Sequence, residues 1–145
     1  MSLASFGELG RALLLVGELE LEKHHAMEKA CTIIEDSAKG AIGTYEFGWQ
    51  QLAQSTQEQR VALGFSPNDP LLRTGELRDS IGHTVESGNV GYIGTNNKIA
   101  PYQEFGTDKI PPRPFLGGAL AAKGQEAADC FGVEISAKLS GKSAP

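Results

Sequence analysis

The chain has 145 residues, of which 40% are hydrophobic and 21% are charged, and its 13 basic and 18 acidic side chains give a formal net charge of −5. This composition is typical of a globular protein and excludes a largely disordered chain, and the length predicts a single domain over residues 1–145. An acidic chain without a basic tail is a poor candidate for wrapping nucleic acid, which requires clustered Lys and Arg.

The two cysteines, Cys31 and Cys130, are far apart in sequence, and we expect both to stay reduced. The longest apolar run covers only residues 12–16, whereas a membrane span needs roughly 18 apolar residues. Acidic residues flank this run, which is unlike a signal peptide. The sequence therefore predicts a protein of the cytoplasm with no membrane partner.

Residues 1–43 predict one long amphipathic helix that ends near Gly40 or Gly43. Ser5 and Glu8 have the spacing of a capping box, which would start this helix. A helix of this length is more than one small core covers, so part of its apolar stripe is expected to contact another subunit.

Residues 44–121 contain the remaining turn and strand signals. Ser55 and Glu58 form a second capping-box pattern, which predicts a short helix up to Gly64, and Thr74 is a candidate N-cap for another short helix. Alternating residues from His83 onward, a turn at Gly88-Asn89 and the run Val90–Gly94 predict a β-hairpin.

The stretch YQEFGTDKIPPRPF, residues 102–115, predicts a junction between two helices. Pro101 suits the start of a helix that runs through Phe105, and Gly106 suits its left-handed end. Pro114 would open the C-terminal helix, which we expect to continue through residues 122–145 and to fray from Ser140. The fold class is predicted as α+β, with a long N-terminal helix and a C-terminal helix packed on a small antiparallel sheet.

Within this stretch, Glu104 and Arg113 are the side chains that could take part in a reaction. A small enzyme built on them would need a second titrating group, and no spacing singles out Glu76, Asp79 or Asp108 for that role. The favoured interpretation is structural, with Glu104 paired to Arg113 or Arg73 so that it fixes a loop or a subunit contact. Phe105 and Phe115 are interpreted as hydrophobic anchors.

No catalytic residue, metal or cofactor is predicted. Adjacent side chains on a helix point about 100° apart, so His24 and His25 would chelate a metal poorly. Zinc-ligand spacings, a nucleophile elbow and glycine-rich phosphate loops are all missing from the sequence.

Four blocks over residues 45–121 together resemble the tail-completion and virion-morphogenesis proteins of tailed bacteriophages, a group that includes small tail components of siphophages and their Mu-like relatives. The blocks are LLRTGELRDSI, VGYIGT, YQEFGT and RPFL. The matching positions are Leu72, Thr74, Gly75, Leu77, Ser80 and Ile81; Val90, Gly94 and Thr95; Tyr102, Glu104, Gly106 and Thr107; and Arg113, Pro114, Phe115 and Leu116. Trp49, Leu52 and Thr56 are similar to a stretch that precedes the first block in some members.

The resemblance implies assembly rather than catalysis. It implies a structural subunit that acts in tail completion and head–tail joining at the neck, forms a homo-oligomeric ring, and has the connector, tail tube or terminator as partners. Its location would be the virion, and the host cytoplasm during assembly. An acidic ring would let DNA pass through its channel without specific binding. A tail-terminator or head-closure role in the same region is the alternative.

The residues expected to form an interface or to fix loops fall in two clusters. They are Arg73, Thr74, Gly75, Tyr102, Glu104, Phe105, Gly106, Thr107, Arg113, Pro114 and Phe115.

Overall fold

A computed structural model of the protein describes residues 3–141, with side chains described at Arg11, at Leu14 and from residue 17 onward. The elements in chain order are the helices and strands α1 (Leu3–Ala41), α2 (Gln54–Ala62), α3 (Glu76–Ser80), β1 (Gly82–Glu86), β2 (Val90–Gly94), α4 (Ala100–Phe105) and α5 (Phe115–Leu139). The predicted α+β class is confirmed, including the long N-terminal helix, the C-terminal helix and the antiparallel hairpin.

The two long helices, α1 and α5, form the main packing interface. Small buried side chains at helical spacing, Ala26, Ala30 and Ala38 on α1, allow α5 to approach closely. The helices run antiparallel: the Lys29 ammonium lies 2.6 Å from the Glu134 carboxylate, and the Lys138 ammonium lies 3.5 Å from the Glu18 carboxylate. Alanine, lysine and glutamate, which favour helix, are frequent in both α1 and α5.

The hairpin of β1 and β2 lies against α1. Its register pairs Gly82 with Gly94 and Glu86 with Val90, which leaves a three-residue turn over 87–89. Ser87 (φ 50°) and Gly88 (φ 71°) adopt left-handed backbone in this turn. At Gly91 the strand approaches α1 so closely that a Cβ would overlap the Sγ of Cys31, so only glycine fits there.

The hydrophobic core collects where α1, α3 and the start of α5 meet. Phe115 is its largest fully buried side chain, and its other buried members are Ala38, Ala41, Ile42, Trp49, Leu77, Ile81, Ala100 and Ala119. The predicted burial of Leu77, Ile81 and Phe115 is therefore confirmed. Since these residues come from five segments, the core fixes the positions of α4 and of the loop before α5.

Three predicted helix starts are wrong. α1 already begins at Leu3, so Ser5 lies inside the helix rather than at its cap. α2 begins at Gln54 after Ala53, and the side-chain amide of Gln57 donates to the Leu52 carbonyl instead of a serine capping the helix. The N-cap of α3 is Gly75 and not Thr74. Gly75 has φ 88°, which is outside the helical range, so the helix begins after it.

The helix ends are closer to expectation. α1 ends at Ala41, between the two predicted glycines, and α4 ends at Phe105 with Gly106 as its C-cap. α5 ends at Leu139, followed by a turn at residues 140–141, and the rest of the predicted frayed tail, residues 142–145, lies outside the described residues.

Candidate functional site

The junction between α4 and α5 holds most of the predicted site residues. Glu104, on α4, reaches the first turn of α5: its Oε2 accepts a hydrogen bond from the Leu116 amide (3.0 Å) and its Oε1 accepts one from the Gly117 amide (2.8 Å). These amides have no partner within the helix, and the positive end of the helix dipole favours a carboxylate there. Glu104 therefore acts as the side-chain cap of α5, although it lies on a different helix.

The expected pairing of Glu104 with Arg113 or Arg73 is wrong. Both Glu104 oxygens are taken by backbone amides, as described above. The Arg113 guanidinium instead donates through Nη2 to the Gln50 carbonyl at 3.1 Å. Arg73 is exposed and stacks on Phe65, with its guanidinium carbon 4.7 Å from the ring centroid.

Arg113 is a buried cation, with 6% of its surface exposed. Its backbone amide donates to the Gln103 carbonyl at 2.7 Å, which ties the end of the loop to α4. Its Nε has no hydrogen-bond partner. Burial holds the pKa of Arg113 below its usual value, with a small opposing contribution from Tyr45. The charge of Arg113 is thus met by a neutral carbonyl alone.

The loop between the two helices is set by Gly106 and Thr107. Gly106 has φ 74° and ψ 174°, a conformation that glycine tolerates, and a Cβ on it would lie 2.7 Å from the Pro112 nitrogen. Thr107 Oγ1 accepts hydrogen bonds from the amides of Lys109 (3.2 Å) and Ile110 (3.3 Å). Pro114 follows as the N-cap of α5. The loop has a defined shape because its own backbone groups are bonded.

Two aromatic residues of the junction face solvent. Tyr102 is 58% exposed and Phe105 is 80% exposed, whereas Phe115 is fully buried. The interpretation of Phe105 as a hydrophobic anchor of the core is therefore wrong. On a helix as short as α4, only one face can turn inward, and Ala100 occupies it. Tyr102 and Phe105 form an exposed pair, the α4 aromatic surface.

Thr74 and Gly75 lie apart from the junction, at the start of α3. Thr74 Oγ1 accepts a bond from the Glu76 amide at 3.4 Å, and the backbone carbonyl of Gly75 accepts one from the Asp79 amide at 2.9 Å. These two residues shape the turn into α3, whereas Arg73, just before them, lines the same cleft as Arg113.

Two structural features were not predicted from the sequence. Tyr45 donates to Asn68 Oδ1 at 2.5 Å and accepts from the Leu52 amide at 3.2 Å, which fixes the aromatic loop. His83 lies between the carboxylates of Glu35 and Glu28, the latter at 2.7 Å. Neither partner set is local in sequence, so no motif could have indicated it.

Within residues 3–141 the structure contains no group of His, Cys, Asp and Glu side chains arranged to hold a metal ion. The cysteines of this part of the chain are free thiols, Cys31 buried and Cys130 half-buried. In the same range, no helix combines the length and apolarity that crossing a membrane requires. Comparison of the chain with protein-family models, with curated proteins and with solved structures found no match.

Proposed function

We propose that this protein is a structural subunit of a phage or prophage particle that acts in tail completion and head–tail joining, as part of a homo-oligomeric ring at the neck. The proposal begins from the four sequence blocks in residues 45–121, which resemble such proteins. The structure adds an arrangement that suits an assembly role and that involves two of those blocks, YQEFGT and RPFL.

The observation that carries the proposal is the α4 aromatic surface. Tyr102 and Phe105 are exposed, yet they lie on a helix that Glu104 attaches to α5 and that Arg113 attaches to the following loop. Exposed aromatic side chains on a fixed support are common at protein–protein contacts, because they bury a large apolar area with little loss of side-chain freedom. A support that hydrogen bonds hold in place suits a contact repeated between subunits of a ring.

The hypothesis of an enzyme built on Glu104 and Arg113 gains no support from these contacts. The Glu104 carboxylate accepts two backbone hydrogen bonds, and the Arg113 side chain is buried against Gln50. The two side chains therefore bond to different backbone segments, and no hydrogen bond joins them.

The test is co-expression with connector, tail-tube and terminator proteins of a tailed phage or prophage, taken from the genome that encodes this chain. Light scattering should show a complex of several copies, and electron microscopy should show rings. Tyr102→Ser and Phe105→Ser should each reduce the assembled fraction. Leu63→Ser is the matched control, because Leu63 is 53% exposed but lies at the end of α2.

A wild-type chain that remains monomeric with all three partners would refute the neck role. Variants of Tyr102 and Phe105 that assemble as well as wild type would refute the α4 aromatic surface as the contact. A tail-terminator role would give stable binding to the tail tube alone, and a head-closure role would give binding to the connector alone.

A further inference from the structure

A cleft of about 470 Å³ opens beside the α4–α5 junction. It is enclosed by the loop at 50–53, by one face of α2, by the segment at 71–73, by α4 and by the loop that leads to α5. Its size falls within the range of ligand sites in proteins. We call it the basic cleft, for the reason given next.

Four of the fourteen residues that line the basic cleft are cationic, and none of the fourteen is acidic. The cations are Arg60, Arg73, Lys109 and Arg113. This concentration of positive charge occurs in a chain whose net charge is −5. A concave surface lined by one sign of charge attracts ligands of the opposite sign.

The arginines are held in place by groups that do not neutralise them. Arg60 donates to the Ser66 carbonyl (2.8 Å), to the Asp69 carbonyl (3.0 Å) and to the Leu72 carbonyl. Arg73 stacks on the ring of Phe65. Since backbone carbonyls and an aromatic ring carry no net charge, both arginines remain positively charged and can still attract an anion.

Arg113 is a buried cation that lacks a counter-charge. It is more than nine-tenths buried, its Nε lacks a partner, and its Nη2 bonds only the Gln50 carbonyl. A buried charge usually has a counter-charge, and no carboxylate provides one here among the described residues. Since Arg113 lines the cleft, a bound anion would supply the missing charge.

We propose that the basic cleft binds an acidic, extended peptide segment of a partner protein, with a carboxylate directed toward Arg113. A guanidinium matches a carboxylate in shape and can bond it through two N–H groups. Apolar walls from Leu71, Ile110 and Pro111 would accept the aliphatic side chains between the acidic ones. A lone inorganic anion would leave those apolar walls exposed to water. Nucleic acid is disfavoured because the net charge of the rest of the protein is negative and would repel it. This inference rests on the cleft and does not depend on the proposed neck role.

The test is fluorescence anisotropy with a short dye-labelled peptide of alternating Glu and Leu, and with a matched peptide in which Gln replaces Glu. The Glu peptide should bind and the Gln peptide should not. Arg73→Gln and Lys109→Gln suit the test because both residues are exposed, so folding should survive. Each should weaken binding about threefold, and the double variant about tenfold. Lys123→Gln is the charge-matched control, since Lys123 is a half-exposed lysine on α5, outside the cleft, and should bind as wild type.

Backbone amide shifts on titration should cluster at residues 50–53 and at Lys109, Ile110 and Arg113. Equal binding of the Gln peptide, or unchanged binding by the double variant, would overturn the proposal. So would tighter binding of a single-stranded oligonucleotide at the same amides, or a response to inorganic phosphate alone. If the wild-type chain self-associates and the double variant does not, the cleft binds a second copy of this chain. That result would overturn the assignment to a different partner.

Discussion

The carboxylate of Glu104 caps the amide of Leu116, twelve residues further along the chain and at the start of another helix. Helix caps usually come from the residue next to the first turn, but that position is Pro114 here and has no side-chain acceptor. The cap therefore also joins two helices, and its removal should affect both.

Glu104→Ala should lower the free energy of unfolding by about 1–2 kcal/mol, because two amides at the start of α5 lose their acceptor and the helix dipole loses a counter-charge. Glu104→Gln, which keeps one acceptor oxygen, should lose less. Urea unfolding followed by circular dichroism measures both. Asp108→Ala, at an exposed residue of the neighbouring loop, is the control. A Glu104→Ala protein as stable as that control would show that the cap contributes nothing.

Gly106→Ala should destabilise the protein by about 2 kcal/mol or more, because alanine disfavours φ 74° and its Cβ would press on the Pro112 nitrogen. Gly132→Ala provides the opposite case. It lies within α5 with open space around it, so alanine should raise stability by about 0.5–1 kcal/mol. Thermal unfolding compares the two directly, and loss of stability in both variants would contradict the stated causes.

Gly91→Ala should cost about 1–3 kcal/mol, because its methyl group would overlap Cys31 on α1. Gly94→Ala, in the same strand with nothing within 4 Å of the added carbon, should change stability by about 0.5 kcal/mol or less. A double-mutant cycle with Cys31→Ala tests the cause. Relief of the overlap should appear as a coupling of about 1 kcal/mol between the two positions. Additive effects would show that contact with Cys31 is not the cause of the lost stability.

His83 should make stability depend on pH. Both of its ring nitrogens lie at hydrogen-bonding distance from carboxylates, an arrangement that suits the doubly protonated ring. Burial alone would lower the pKa of His83, but its bonds to Glu35 and Glu28 raise it above the usual 6.5. Burial alone would raise the pKa of Glu35, but Lys39 and His83 hold it below the usual 4.5.

The raised His83 pKa adds stability that is fully present below pH 6.5 and is lost as the pH rises through the folded-state pKa. The lowered Glu35 pKa adds stability that is present above pH 4.5 and is lost as the pH falls through its folded-state pKa. The advantage of wild type over His83→Gln should therefore be largest between these two values, at about 1 kcal/mol.

Urea unfolding at about pH 5.5 and about pH 9 checks this difference. His25→Gln, at an exposed histidine of α1, is the control and should show no such change. An advantage for wild type that grows toward pH 9 would contradict the assignment.

Local sequence signals predicted the elements well. The hairpin followed from the alternation that starts at His83, from the turn at Gly88-Asn89 and from the run Val90–Gly94, and the stop of α4 followed from Gly106. Such signals act within a few residues, so they do not depend on how the chain folds back on itself.

The contacts at the site could not be predicted in this way. Glu104 and Arg113 were recognised as candidates, but their partners are set by where α5 starts and where residue 50 lies. The capping boxes at Ser5 and Ser55 also failed, since both serines lie inside their helices instead of at the N-cap. Residues that resembled an ion pair in sequence bond to backbone groups in the fold.

Gln103 lies between Tyr102 and Glu104, its carbonyl accepts the Arg113 amide, and it also lines the basic cleft. The α4 aromatic surface and the cleft thus stand on one hydrogen-bonded unit. A protein that touched both would lose little conformational entropy in ordering that unit, because folding has already ordered it. Two modest contacts on such a unit can therefore add up to a long residence time.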